Sequence, residues 1–489
     1  MSPYRRIIDS LKQIFHRPPT APHSQTALDV SEHRPHQPVI IPREQHSISR
    51  RHISSNAVRV LYRLKDAGYQ AFLVGGGVRD LLLNKIPKDF DIATDAHPED
   101  VKNLFRNCRL IGRRFRLAHV HFGNEIIEVA TFRAHHGKPD EDEEDKARIG
   151  SGVIENGRII RDNVFGTLEE DAWRRDFTVN ALYYNIADFS VVDYTGGMPD
   201  IQARVLRLIG DPIQRYQEDP VRMLRAVRFA AKLDFTLEPY TQEPLHSMGS
   251  LLADIPPSRL YEETLKLFLT GHGVKSFAGL RQYGLFQHLF GETHAHLADD
   301  KVAQRILKVL RNTDERVAEG KSVTPGFLFA ALLWTPVQQH AQRLEKEGFT
   351  AQEALFEASH QVGKRQARQV AIPRHMALSM REIWHLQLRL ERNKRGKRAQ
   401  QLLHHPRFRA AYDFLQLRAQ TNPAHQALAE WWEKLQTLNA QELQQLTATK
   451  KTSRSSSSRK KGQDTKSSDE DTELFDKDNF VGDGFDDED

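Results

Sequence analysis

The sequence predicts an α/β head built on a mixed sheet, followed by all-α neck and body regions, with disordered ends. Three observations predict it. Short apolar runs alternate with helical patterns from Ala57 to about Asn185, strand signals nearly vanish after about Val205, and both ends are polar with little periodicity.

Residues 1–50 are rich in Pro, His, Ser and Arg and read as a flexible basic extension. Within it, Ile7, Ile8, Leu11, Ile14 and Phe15 share one helical face, with Arg5, Arg6, Lys12 and Arg17 around it. Such a helix suits an anionic membrane surface or a docking site on a partner protein. Residues 51–200 form the head. There Ala71 to Val74 reads as a strand that runs into Gly75-Gly76-Gly77, and Val78 to Leu83 opens a helix. Phe90 to Ala93, Leu117 to Phe122 and Ile126 to Phe132 read as further strands, and the acidic stretch Asp140 to Asp145 as a solvated loop. Helical neck (201–275) and body (276–446) follow, with breaks at Pro256-Pro257, Pro325, Pro373 and Pro406. Residues 447–489 are Lys/Ser-rich and then acidic, and read as disordered.

Composition narrows the function. No apolar run is long enough to cross a bilayer, and the N-terminus has no signal-peptide core. Cys108 is the only cysteine, which excludes an internal disulfide and a cysteine-based zinc cluster and fits a reducing cytoplasm. The net charge of +5 hides an uneven distribution: Ser468 to Asp489 holds eleven acidic residues against Lys477, so this segment carries −10 and the rest +15. A body that positive points to a polyanion, of which RNA or DNA is the commonest.

Three features of the head carry chemistry. A glycine turn between strand and helix lets backbone N–H groups approach a phosphate, although a plain tight turn explains Gly75-Gly76-Gly77 as well. Asp89 and Asp91 lie two apart in a predicted strand, so both carboxylates point the same way while Phe90 and Ile92 go to the core. Paired hard-oxygen ligands suit Mg²⁺; two surface aspartates at a strand start are the plain alternative. Glu128 interrupts the apolar run from Ile126, where a lone carboxylate needs a partner or a metal, unless it is exposed or paired with Arg133. Further along, Arg222, Arg225 and Arg228 lie opposite the apolar arc of Met223, Leu224 and Val227 on one predicted helix. Asp219 before Pro220 reads as a helix cap or as an acceptor for a base edge.

The strings Leu73-Val74-Gly75-Gly76-Gly77-Val78-Arg79-Asp80 and Lys88-Asp89-Phe90-Asp91-Ile92, then Arg174-Arg175-Asp176-Phe177-Thr178-Val179-Asn180 and Glu218-Asp219-Pro220-Val221-Arg222, occur in that order. Together they resemble the class II nucleotidyltransferases, which comprise CCA-adding enzymes and bacterial poly(A) polymerases. The resemblance implies a triphosphate held by Gly75, Gly76 and Arg79, and two Mg²⁺ ions on the paired Asp89 and Asp91, to which the strand reading adds Glu128 as a third candidate metal ligand. It implies Asp89, Asp91 and Asp176 as catalytic acids, and nucleotide contacts at Arg175, Asn180, Asp219, Arg222, Arg225 and Arg228. The run Leu110-Ile111-Gly112-Arg113-Arg114-Phe115 resembles the poly(A) polymerase branch, as do Ile41 to Arg50 and Pro256-Pro257-Ser258-Arg259-Leu260.

This branch implies template-independent addition of AMP from ATP to RNA 3′ ends of mRNA, small RNA or tRNA-like molecules, in the cytoplasm or in part at the inner membrane surface. A CCA-adding enzyme and a non-catalytic RNA-binding protein on the same scaffold are the alternatives. For RNA, Arg113, Arg114, Arg395 and Arg398 are the candidate contacts. Trp384, Phe408 and Tyr412 lie among the basic residues of 389–409 or near them, either to stack bases or to fill a core.

Overall fold

A computed structural model describes residues 37–112, 116–134, 154–155, 158–159, 164–393 and 396–438. The basic amphipathic stretch at Ile7 to Phe15, the acidic loop at Asp140 to Asp145, the acidic tail, Arg113, Arg114 and Arg395 lie outside the described residues. Among the described residues no helix is long and apolar enough to cross a membrane.

The head is an eight-stranded sheet. Its strands are β1 (Val39–Ile41), β2 (Ala71–Val74), β3 (Asp91–Thr94), β4 (Cys108–Ile111), β5 (Leu117–Phe122), β6 (Glu125–Thr131), β7 (Leu182–Asn185) and β8 (Val191–Asp193). They lie in the order β1-β8-β7-β2-β3-β6-β5-β4. Only β3 and β6 run parallel; every other neighbour is antiparallel. All four residues of β2 are buried, as expected of a central strand covered on both faces.

The two faces differ, and that difference positions the site. On one face Leu73, Ile92, Ile127, Val129 and Tyr184 join a large core with Ala57, Val60, Leu61 and Leu64 of helix α1 (Ser55–Asp66). On the other, Phe72, Val74, Ala93, Phe132, Tyr183 and Val192 make a small cluster with Ala172 of a short helix, Leu168–Trp173. That second face is only partly roofed, so its outer strands keep polar side chains.

Several boundaries depart from expectation. The ordered head begins inside 1–50, because β1 pairs with β8 and Ile48 and Ile53 are buried. Strand β3 starts at Asp91, so Asp89 precedes the ladder instead of sharing it. Helix α2 (Gly76–Leu82) starts within the glycines, two residues before Val78. In the neck, Val205–Leu206 and Thr236–Leu237 form a small parallel pair where only helix was expected.

The prolines act mostly as starters. Pro212 opens α3 (Pro212–Glu218) behind Asp211, whose carboxylate accepts from Gln214 N at 2.8 Å. Helix α4 (Val221–Leu233) follows at once, then α5 (Pro257–Phe268) and α6 (Gly273–Gln282), which both pack on α4. Pro325 begins the long helix Pro325–Lys346, and Pro373 caps Arg374–Arg392. The first core cluster runs from Ile41 in the head to Leu417 in the body.

Candidate active site

The turn after β2 fixes the centre of the site. Gly75 has φ +68° and ψ −135°, a conformation that L side chains rarely adopt. A Cβ at Gly75 would stand 3.6 Å from an Nη of Arg175, and one at Gly77 would stand 3.5 Å from the Asp89 carbonyl oxygen. Both are ordinary contact distances, so what Gly75 supplies is its backbone conformation; the guanidinium of Arg175 lies against the turn, and the segment carrying Asp89 passes close to helix α2.

Register then groups the carboxylates. Asp91 faces Val74 of β2 on one side and Glu128 of β6 on the other. Glu128 faces His119 of β5, whose Nε2 lies 3.4 Å from the carboxylate. Glu128 thus stands on the half-open face with its side chain 41% exposed, paired across the strands with His119 and not with Arg133. Burial, then repulsion from Glu128 and from Asp89, push the Asp91 carboxyl up to about 6 against the pull of Arg175.

These donors fit Mg²⁺. A carboxylate pushed up by burial and by neighbouring carboxylates, as Asp91 is, is relieved by a cation, and Mg²⁺ takes one or two carboxylates with the remaining positions left to water and phosphate oxygens. Among the described residues no three acidic, His or Cys side chains are gathered closely enough to hold a metal by themselves, so the pairing of Asp89 and Asp91, with Glu128 alongside, is what the protein offers.

Arg175 is held in place by a residue that the sequence reading missed. Asp171, 1% exposed, accepts from Arg174 Nε at 2.8 Å, Arg175 Nη2 at 2.9 Å and the Tyr183 hydroxyl at 2.7 Å. Tyr183 in turn accepts from Arg175 Nε at 2.9 Å. Burial opposes the charge on Asp171, but Arg175 and Arg174 outweigh it and hold the carboxyl well below its usual range. The signal was present in Asp171-Ala172-Trp173-Arg174-Arg175, a carboxylate three and four residues before two arginines on a helix.

Asp176 is placed differently from the other acids. Its carboxylate accepts from Arg225 Nε at 2.8 Å, Asn180 Nδ2 at 3.2 Å and Phe177 N at 2.9 Å. Burial raises its proton affinity, yet Arg225 and these hydrogen bonds bring its pKa down to about 2. Asn180 also accepts from Arg79 Nη1 at 2.6 Å, and Arg79, 2% exposed, pairs with Asp80 at 2.7 Å. Arg79 is therefore an internal tie beneath the turn, and it reaches the site through Asn180 and Asp176.

Beside this network lies a cavity of about 330 Å³ between Arg174, Arg175 and Asp176 on the head side and Asp219, Arg222 and Arg225 on the neck side. The predicted arginine ridge is present on α4, but each member is engaged. Arg222 donates to Glu218 at 2.9 Å and to the Arg215 carbonyl at 2.7 Å, Arg225 to Asp176, and Arg228 to Glu263. Asp219 accepts from Val221 N at 3.2 Å and from Arg259 at 2.6 Å, so it supports the helix start and faces the cavity at once. Arg215, a second residue the sequence reading passed over, donates to the carbonyls of Arg174 at 2.8 Å and Arg175 at 2.7 Å, joining neck to head.

The candidate RNA residues fare unevenly. Arg398 is exposed. Trp384, Phe408 and Tyr412 are core side chains at 0%, 5% and 2% exposure, so they pack helices and stack no bases. Phe408 lies 5.5 Å from the Trp432 ring.

The family model described as "Poly A polymerase head domain" matches residues 71–207. The "Probable RNA and SrmB- binding site of polymerase A" matches 234–297, and the "Polymerase A arginine-rich C-terminus" matches 347–466. Poly(A) polymerase I of Salmonella typhimurium is 54% identical over 409 residues, covering 82% of this chain and 86% of that protein. The Haemophilus influenzae protein of the same name is 47% identical over 413 residues, covering 83% and 90%. A CCA-adding enzyme of Lactobacillus helveticus is 38% identical over 221 residues, 45% of this chain and 51% of its own. Among solved structures, the Bacillus stearothermophilus CCA-adding enzyme in complex with CTP superposes with a TM-score of 0.52 at 25% identity, covering 78% of this chain and 82% of that one.

Proposed function

The chain belongs to the bacterial poly(A) polymerase family and adds adenylate to RNA, and we propose that it transfers AMP from ATP to RNA 3′ ends at the Asp89–Asp91 carboxylates, in RNA polyadenylation and turnover. The observation that carries this reading is the placement of Arg175 against the Gly75 turn, beside Asp91, with its guanidinium anchored by Asp171 and Tyr183. A fixed cation next to a glycine turn suits a triphosphate, and the neighbouring carboxylates suit the metal that accompanies it.

Asp89 and Asp91 would hold Mg²⁺, with Glu128 supporting the second of two ions. Bound there, the ions supply activation of the primer 3′-hydroxyl and charge neutralisation at the α-phosphate and the leaving pyrophosphate. The protein's own groups do the rest. The N–H groups at the turn and the Arg175 guanidinium orient the phosphates. Asp176 aims Arg225 into the cavity, and Asn180 links Asp176 to the Arg79 tie. Asp219 offers an acceptor for the adenine amino group and Arg222 a donor for its ring nitrogen. Arg228 sits one turn further along α4 and extends the cationic face. Residues 51–200 would be the catalytic head, 201–275 the neck holding the base, and 276–446 the RNA-binding body, with Arg398 and the arginines outside the described residues contributing contacts. The compartment we propose is the cytoplasm.

The test is incubation of purified protein and a short RNA with each NTP separately plus Mg²⁺. Long extension with ATP alone is expected. Addition that stops after two residues with CTP alone and after at most one with ATP alone would move the chain to the CCA-adding branch, and no incorporation at all would leave an RNA-binding scaffold.

A further inference from the structure

Away from the ATP cavity, α4 carries its cationic face onward. Arg225, Arg228 and Lys232 are spaced three and four residues apart on one side of the helix. The span from Arg225 to Lys232 is about 10 Å at the rise of an α-helix. At its far end two other segments converge. Lys85 belongs to the loop after α2, whose Arg79 lies 5.5 Å over the Phe229 ring of α4. His272 and Lys275 begin α6, and Lys275 pairs with Asp234 at 2.7 Å. The charges of Arg79, Arg228 and Lys85 act on Lys232 against that of Asp80, and those of Lys275, Lys232 and Lys85 act on His272 against that of Asp234, so these groups form one field in which cations outnumber acids. Neither Lys85, Lys88 nor Lys232 forms an ion pair with another described residue.

The loop itself is unusual. Ile86 is 94% exposed, the most open of the large apolar side chains described, while Pro87 next to it is buried and fixes the loop. Lysines flank it at 85 and 88, and Lys88 precedes Asp89 directly. One end of the loop thus adjoins the proposed metal carboxylates and the other adjoins the cations of α4 and α6. Cations without partners beside an open apolar side chain match single-stranded nucleic acid, whose phosphates need charge and whose exposed ribose and base faces need apolar contact.

We propose that the 3′-terminal stretch of the RNA substrate lies along this track, with phosphates on Lys85, Lys88 and Lys232 and a ribose or base against Ile86, delivering the 3′-hydroxyl to Asp89. This rests on the RNA-extending activity proposed above and adds the surface that guides the strand. It places part of primer binding on the head itself, on a loop distinct from the arginine-rich body.

The experiment uses the full chain, an unstructured oligoadenylate primer, ATP and Mg²⁺, with KM for RNA and for ATP measured over a salt series. For Lys85→Gln/Lys232→Gln, KM for RNA is expected to rise about tenfold and the slope of log affinity against log salt to fall by about 1.4, from about 0.7 per phosphate contact on a single strand. KM for ATP should stay as in the parent. Ile86→Ser should raise KM for RNA without changing the salt slope, and Lys85→Arg/Lys232→Arg should restore the parent behaviour. An unchanged KM for RNA and unchanged slope in the double Gln variant would overturn the track while leaving the polymerase reading intact. A rise in KM for ATP instead would assign these lysines to the nucleotide site and overturn it equally. Failure of the parent chain to extend RNA would refute the polymerase reading itself.

Discussion

Removing one hydroxyl, by Tyr183→Phe, tests the reasoning about Arg175 most cleanly. That hydroxyl donates to Asp171 at 2.7 Å and accepts from Arg175 Nε at 2.9 Å. Phe fits the same space, and the apolar contacts of Tyr183 with Phe72 across β2 and β7 are kept. Hydrogen bonds to charged groups contribute about 1.5–3 kcal/mol each. The two do not add fully, because Asp171 still holds Arg174 and Arg175. The expected loss is therefore about 2–3 kcal/mol, a large share of the 5–15 kcal/mol typical of a folded domain. Urea unfolding should show a lower midpoint with an unchanged slope. Arg175 should also lose its fixed aim, so kcat/KM for ATP should fall by about tenfold, equivalent to about 1.4 kcal/mol in the transition state. A stability change under about 0.5 kcal/mol together with an unchanged kcat/KM would refute the claim that Tyr183 positions Arg175.

Three further outcomes follow from the geometry. Asp89→Ala or Asp91→Ala should reduce AMP addition by at least about a thousandfold without lowering the unfolding midpoint, since neither carboxylate ties the core together; near-parent turnover in primer extension would remove the metal assignment. Gly75→Ala should cost about 1–3 kcal/mol, because φ +68° with ψ −135° is a conformation that L side chains rarely adopt, and the resulting shift of the turn should weaken ATP binding, read by urea unfolding and KM for ATP. His385, whose pKa burial first and Arg381 second bring down to about 4, is neutral in the fold but takes a proton near its usual 6.5 when unfolded. The unfolded state then binds more protons below pH 6.5, so stability should be full above that value and fall towards pH 4 by at most roughly 3 kcal/mol; His385→Gln should flatten the slope of urea midpoint against pH across that window.

What the sequence disclosed depended on how local the cause was. Strand β2 and its glycine turn were legible because an apolar run that meets Gly75 needs no distant partner to be read. Strand β1 was not, because Val39 and Ile40 are 64% and 52% exposed on a sheet edge and sit in a polar context. The ridge of α4 was legible as a periodicity, but its engagement was not: the partner of Arg225 lies 49 residues away and that of Arg228 lies 35 away. Asp171 was hidden for a similar reason, since part of its work is done with Tyr183, which lies on strand β7 and not on the helix that carries Asp171. Trp384, Phe408 and Tyr412 show the converse error available to composition, for rings among arginines suggest stacking until packing shows them facing inward.

Arg215 has a mechanical consequence. Its guanidinium holds the carbonyls of Arg174 and Arg175, residues of the cavity's head wall, and its own carbonyl receives Arg222 from the opposite wall. Both walls are thus riveted to a single residue, one through its side chain and the other through its backbone carbonyl, and the cavity cannot widen like a jaw without shearing several charge-assisted bonds in a buried place. Widening the cavity would therefore require Arg215 to release the head backbone first, so one residue sets the spacing between head and neck walls.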